Sequence, residues 1–269
     1  MPNYSGMKVD LNWDDNHVFP STIYPNLAFL FQQMNEVTVA EVEAKNGERI
    51  LDIGCGRAID AVELAKRGGK CLGLEPSEKM INHARGHIAK SGTEVTLIRG
   101  IGEYLPFKDR SFDKAMCKGA LDHFSNPGKA VEEIARVLKP DGKAILVIAN
   151  LESLGFRLAR RLFRVVDILN RKRQDYSKYK VWQVAVDHTY KFDYAFLKRL
   201  VEPHLKIERS IGISLFFGFP WWGQVLDKLP KGLSLAILKV LDNLARHFPS
   251  LGDIILIRCS PKIERKGKY

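Results

Sequence analysis

Between residues 49 and 150 the chain alternates short, strongly apolar runs with stretches whose apolar residues recur every three or four positions. RILDIG, KCLGL, EVTLIR, FDKAMC and GKAILVIAN read as strands; AVELAKRG, SEKMINHARGHIAK and GKAVEEIARVLK read as helices. Alternation of strand and helix of this kind predicts a parallel sheet with helices on both faces. Pro140, Asp141 and Gly142 predict a turn between the last of these helices and its strand. Ahead of this core, Leu27, Leu30, Phe31 and Met34 recur at helical spacing and are followed by Val37, Val39 and Val42, which suggests one or two helices capping the sheet. Behind it the pattern changes: 151–190 is helical and basic, FDYAFLKRLVEP is a helix and LKIERSIGI a strand. Residues 214–252 then make a long aromatic and helical excursion before a last strand, DIILIRC.

A chain of 269 residues can bury a full core. We expect one domain over 1–269, with N-terminal cap helices in 1–46, the α/β core in 47–150, a basic insertion in 151–190 and completion of the sheet in 191–269. The formal charge of +11 suits an acidic substrate, an anionic lipid or a nucleic acid and distinguishes none of them. Cys55, Cys71, Cys117 and Cys259 lack any CxxC spacing and read as small buried hydrophobes, so neither a metal site nor a disulfide is expected. The first residues lack the basic stretch and apolar run of a secretory signal, and no window reaches the ~18 apolar residues of a membrane span. A cytoplasmic protein is expected, with contact to a membrane surface left open.

In RILDIGCGRAID a strand enters a glycine turn and then a helix. Gly54 and Gly56 would let a ligand approach the backbone at the carboxyl end of the first strand. Glu75 ends the second strand, 21 residues after Gly54, where a carboxylate can accept from both hydroxyls of a ribose. The plainer alternative is a tight turn and a surface glutamate.

LDIGCG, LEPSEKM, LPFKDRSFD, LDHF and EIARVLKPDG follow one another in the order and spacing of the class I S-adenosylmethionine-dependent methyltransferases, and most resemble the ubiquinone- and menaquinone-biosynthesis branch. The resemblance covers 49–150, thins to DHTYKF at 187–192 and is negligible elsewhere. It implies a Rossmann-like, doubly wound, seven-stranded, mainly parallel α/β sheet with an antiparallel last strand, and helical insertions forming a lid. It implies S-adenosylmethionine as cofactor, a ligand without a pyrophosphate, so that Ala58 can stand where a dinucleotide fingerprint wants another glycine. It places Gly54, Cys55 and Gly56 against the methionine end, with Asp52 fixing the turn, Glu75 on the ribose, and Pro76 and Met80 on the adenine; an ordinary core contact is the alternative for Met80. Relatives carry an acid where this chain has Ile101. Either backbone atoms of Gly102 and Glu103 hold the adenine, with Ile101 packing on it, or Glu103 reaches back. Cys117 and Lys118 would lie beside the methionine moiety.

The acceptor side is less determined. His123 is the first candidate for a general base, because imidazole titrates near neutrality and the position lies just past the cofactor site; a structural histidine is the alternative. His188 is the second. In SLGFRLARRLFRVVDILNRKR apolar residues alternate with Arg157, Arg160, Arg161 and Arg164 in a basic amphipathic helix, and 151–180 holds nine Lys+Arg against three acids. Phe216, Phe217, Phe219, Trp221 and Trp222 crowd a Gly-Pro turn. They would wall an apolar pocket, pack as core beneath the basic helix, or dip into a lipid interface. Together these features point to a small lipophilic or amphipathic acceptor, quinone-like or lipid-linked. Nucleic acid is not expected as substrate, because basic and aromatic residues are separate along the chain; RNA methylation and non-catalytic cofactor binding are the alternatives. The acceptor atom and oligomeric state are left open.

Overall fold

The computed structural model describes residues 10–15, 22–169 and 190–262. Seven strands, β1 (Arg49–Ile53), β2 (Lys70–Glu75), β3 (Val95–Arg99), β4 (Phe112–Lys118), β5 (Leu138–Ala149), β6 (Leu205–Ile213) and β7 (Ile254–Pro261), form one sheet in the order β3-β2-β1-β4-β5-β7-β6. β1 to β5 are parallel, and β7 runs antiparallel between β5 and β6. This is the doubly wound sheet expected from the sequence. Its central strands carry apolar residues on both sides because both faces are covered. Alternate residues supply two cores: Leu51, Ile53, Cys117, Leu146 and Ile148 face one side, and Ile50, Met116, Ile145 and Val147 the other.

The helices are α1 (Pro25–Val42), α2 (Ile59–Lys66), α3 (Glu78–Ser91), α4 (Pro127–Val137), α5 (Leu154–Leu169), α6 (Tyr194–Val201), α7 (Trp222–Asp227) and α8 (Lys231–His247). Several start where a short polar side chain can take an otherwise orphaned N–H. Ser77 accepts from Met80 at α3, Asn126 from Lys129 at α4 and Asp193 from Phe196 at α6. Among the described residues the N-terminal part contributes one helix, α1. The turn expected at Pro140–Gly142 lies within β5. Leu138 already pairs with Phe112, and the register then jumps to Lys114↔Lys143, so these residues bulge from a strand that has begun. All four cysteines are free and buried.

Candidate active site

The carboxyl ends of β1, β2 and β4 converge on the glycine turn. Gly54 (φ 70°) and Gly56 (φ 51°) both have positive φ, as does Ala58 (φ 57°), which opens α2. A Cβ on Gly54 would lie 2.5 Å from the Cβ of Ala120, so β1 and the segment after β4 touch only because this residue has no side chain. The N–H groups of Gly54 and Cys55 both donate to the Leu74 carbonyl, at 2.8 and 3.1 Å. Gly56 donates to Oε2 of Glu75 at 3.0 Å, and Ser77 to its Oε1 at 2.9 Å. The three amides of the turn are thus spent on β2 and do not converge outward as an anion-binding cradle would require.

Glu75 is buried at the head of β2. Burial raises its carboxyl pKa above the ordinary value, against the pull of the Ser77 and Gly56 N–H groups and of His123. Each carboxylate oxygen takes one backbone donor and keeps acceptor capacity for a ligand hydroxyl. Met80 is buried on α3, with its Cε 3.5 Å from where a Gly56 Cβ would stand. Pro76 is half-buried, and its carbonyl accepts from Nε of Arg99 at 3.1 Å. Ile101 is buried, and Gly102 is pressed against the Phe124 ring. Glu103 is turned onto the start of α4, where Oε1 accepts from the Asn126 N–H at 3.2 Å. Of the two readings of 101–103, this geometry favours backbone contact with apolar packing over a reach by Glu103.

Asp52 and Lys118 project to the α1 face of the sheet. Nζ of Lys118 pairs with the buried Asp60 of α2 and donates to Oδ1 of Asn35 in α1 at 2.6 Å. Burial, chiefly, and the nearby Asp60 raise the Asp52 carboxyl well above its usual range, while Lys118 draws it down. Cys117 points to the opposite face and is fully buried, which raises its thiol pKa well above the ordinary value. Gly119 (φ 61°) follows, and a Cβ there would meet nothing within 4 Å, which leaves open space beside the end of β4.

An irregular segment ahead of α1, Asp10–Asp15, packs against the start of α3, the glycine turn and His123. The Leu11 carbonyl accepts from Glu78 N–H at 3.1 Å and the Trp13 carbonyl from Ser77 Oγ at 2.6 Å. Asp15 clamps Arg57, which follows the glycine turn, through two hydrogen bonds of 2.6 Å. The Trp13 ring meets the His123 ring edge-on, centroids 5.4 Å apart. Nε2 of His123 lies 4.0 Å from Oδ1 of the buried Asp122. Trp13, Asp15 and Arg57 were not singled out in the sequence. Arg57 could have been, as the first side chain after the glycines, but its partner 42 residues earlier gives no local signal. His188 lies outside the described residues.

α5 and the aromatic turn pack on each other. A Cβ on Gly155 would fall 2.8 Å from Cα of Phe216, and Phe156 fills the space beside Gly218. Phe163 approaches Trp221 at 6.3 Å between centroids. Basic helix and aromatics, separate in the sequence, are therefore neighbours in space. The two tryptophans part company: Trp222 packs with Phe29, Leu226 and Leu238, whereas Trp221 is 49% exposed. Ser214 (φ 59°), Phe216 (φ 67°) and Trp221 (φ 59°) hold left-handed backbone without being glycine, a strain that surrounding contacts must maintain. Asp253, at the start of β7, supplies such contacts: its Oδ2 accepts from the Phe217 N–H at 2.9 Å, and it interacts with the Ser153 and Ser214 hydroxyls.

Residues 51–146 match the family model described as "Methyltransferase domain". Over 110 residues the chain is 38% identical to an uncharacterized methyltransferase, YcgJ, of Bacillus subtilis, covering 40% of this chain and 44% of that one. Over 148 residues it is 27% identical to the ubiquinone biosynthesis O-methyltransferase of Vibrio cholerae, covering 53% and 60% respectively. The chain thus spans about half the length of these curated relatives. The fold is shared with the solved structure of a SAM-dependent methyltransferase from Aquifex aeolicus at a TM-score of 0.55 and 16% identity, covering 88% of this chain and 94% of that one. The chain thus resembles methyltransferases over 51–146 and shares the fold of solved SAM-dependent methyltransferases, a likeness that implies S-adenosylmethionine as cofactor. The residues present fit that cofactor: Glu75 is a buried acceptor suited to a ribose diol, and the glycine turn has its amides turned inward, as a ligand with no phosphate permits.

Proposed function

We propose that the protein transfers the methyl group of S-adenosylmethionine to a small lipophilic or amphipathic acceptor held beneath α5 and the aromatic turn. The observation that carries the acceptor class is the strained turn itself, whose rings are anchored on Phe156 and Phe163 of α5. Likeness to ubiquinone biosynthesis O-methyltransferases supports a quinone-like ring among such acceptors. Bound S-adenosylmethionine supplies a methyl already activated by the sulfonium, so alignment and exclusion of water are the protein's main tasks. Glu75 fixes the ribose, the backbone of 54–56 and the open space at Gly119 bound the methionine end, and Met80 packs on the adenine. His123, oriented between Trp13 and Asp122, takes the proton that an attacking hydroxyl loses; His188 is the second candidate for that step.

The test is transfer of labelled methyl groups to phenolic quinol analogues, to lipid extract and to bulk RNA in parallel. Label should enter the organic phase, and His123→Ala should lower turnover by ~10² with cofactor affinity retained. Equal loss in His188→Ala with a normal His123→Ala would exchange the two histidines. Label found in RNA alone would replace the acceptor reading, and binding without transfer to any fraction would remove the catalytic one.

A further inference from the structure

Of the thirteen large apolar side chains that stand exposed in the described residues, nine lie between Val165 and Phe248, in the segments added to the sheet. Five of these belong to α8 and its end. Ser234, Leu238, Asp242 and Ala245 are the buried face of that helix. Along an exposed face Leu233 (49% exposed), Val240 (62%) and Leu244 (47%) recur at i, i+7 and i+11, and Phe248 (56%) continues the stripe past the last turn. Its single acid, Asp242, is turned inward, accepting from the Ser214 N–H at 2.9 Å and from Nε of Arg246 at 2.7 Å. The charges that α8 presents to solvent, Lys231 and Lys239, are therefore basic, while Arg246 is paired with Asp242.

The geometry points to the outer face of α8 as a docking surface for an anionic lipid bilayer. An amphipathic helix with an apolar stripe and basic flanks lies in the interface plane, its apolar residues among the acyl chains and its cations against headgroups. A second copy of the chain would have to pair this same stripe with itself, bringing like-charged flanks together, whereas an anionic surface complements them. The protein's formal charge of +11 favours the same partner at long range. Among the described residues no helix is long and apolar enough to cross a membrane, so the contact is peripheral. Trp221 and Val225, also about half exposed, precede α8, so docking would bring the aromatic turn toward the phase in which lipophilic acceptors dissolve.

The full chain is mixed with sedimentable vesicles of phosphatidylcholine alone or with phosphatidylglycerol. Binding is expected only to the anionic vesicles, at about 50 mM salt, with loss as salt rises toward about 0.5 M. Leu233→Asp/Val240→Asp should weaken it at least about tenfold, and Lys231→Gln/Lys239→Gln severalfold. Both pairs are exposed, so unchanged melting temperatures should accompany these losses. The proposal is overturned if wild type ignores anionic vesicles at low salt or if the aspartate pair binds them as wild type does. It is also overturned if Arg161→Gln/Arg164→Gln alone abolishes binding, which would move the contact to α5. Concentration-dependent dimerisation that the aspartate pair abolishes, without vesicle binding, would assign the stripe to a second copy. None of these outcomes bears on the methyl-transfer reading, which the labelling assay tests separately.

Discussion

Glu75→Gln separates the two tasks of this residue. The wild-type carboxylate accepts Gly56 N–H at 3.0 Å and Ser77 N–H at 2.9 Å while keeping lone pairs for a ribose. An amide of the same shape keeps one acceptor and turns NH₂ toward the other donor, leaving one N–H unpaired at a cost of about 1–3 kcal/mol. Removal of a buried charge offsets part of this, so the fold should survive with a net loss of about 1–2 kcal/mol. Cofactor binding should suffer more. A hydrogen bond to an ionised acceptor contributes about 1.5–3 kcal/mol against about 0.5–1.5 for a neutral one, and two ribose hydroxyls are involved. The difference, about 2–3 kcal/mol, corresponds to binding weaker by roughly 30- to 150-fold. Glu75→Ala is the poorer probe, because it orphans both N–H groups and threatens a domain of ordinary stability. Calorimetric titration with S-adenosylhomocysteine, alongside a melting curve, reads both effects. Since burial raises the carboxyl pKa, wild-type affinity should also begin to fall at a less acidic pH than a free carboxylate would give, and this dependence should vanish in the glutamine variant. A folded Glu75→Gln protein with affinity within about twofold of wild type would refute the assignment of the ribose to this residue.

Gly54→Ala should abolish cofactor binding and lower the melting temperature, since a Cβ at φ 70° would stand 2.5 Å from Ala120; calorimetry showing normal affinity would contradict the packing described. Arg57→Ala should free Asp10–Asp15 from the glycine turn and accelerate cofactor dissociation by about three- to tenfold, read by stopped-flow Trp13 fluorescence, and Asp15→Asn should do the same if the clamp is responsible. Asp253→Asn tests the support of the aromatic turn. Burial raises this carboxyl from 3.8 to about 6, so its contribution to stability is full below 3.8 and is lost as pH rises through about 6. Between pH 7 and pH 5 wild type should therefore gain roughly 1 kcal/mol relative to Asp253→Asn in paired urea titrations, and parallel curves would dismiss the assigned burial.

The parts legible in the sequence were those built from local repetition. β1, β2, β4 and the helices between them declare themselves by period, and Gly54, Gly56 and Glu75 by their place at strand ends. The turn at Pro140–Gly142 misled because Leu138 pairs with Phe112 before the bulge, a long-range contact with no local trace. For the same reason the clamp from Asp15 to Arg57 and the pair of Lys118 with Asp60 escaped notice, as each joins residues distant in the chain. Trp221 and Trp222, adjacent and chemically alike, face solvent and core respectively, which a left-handed residue at 221 decides and composition does not express.

The reversed strand β7 has a consequence for how such a protein can change. Ala149 at the end of β5, Ile213 at the end of β6 and Ile254 at the start of β7 lie in one row of the sheet, Ile254 pairing with both. The chain leaves the sheet toward α5 and toward the aromatic turn, and returns from α8, through three neighbouring positions spaced about 4.8 Å apart. The inserted segments therefore share a single root, distant in the strand order from β2 and its glutamate. Lengthening, shortening or exchanging them leaves the register of β1, β2 and β3 untouched, so under the function proposed above acceptor preference could drift while the donor site stays the same.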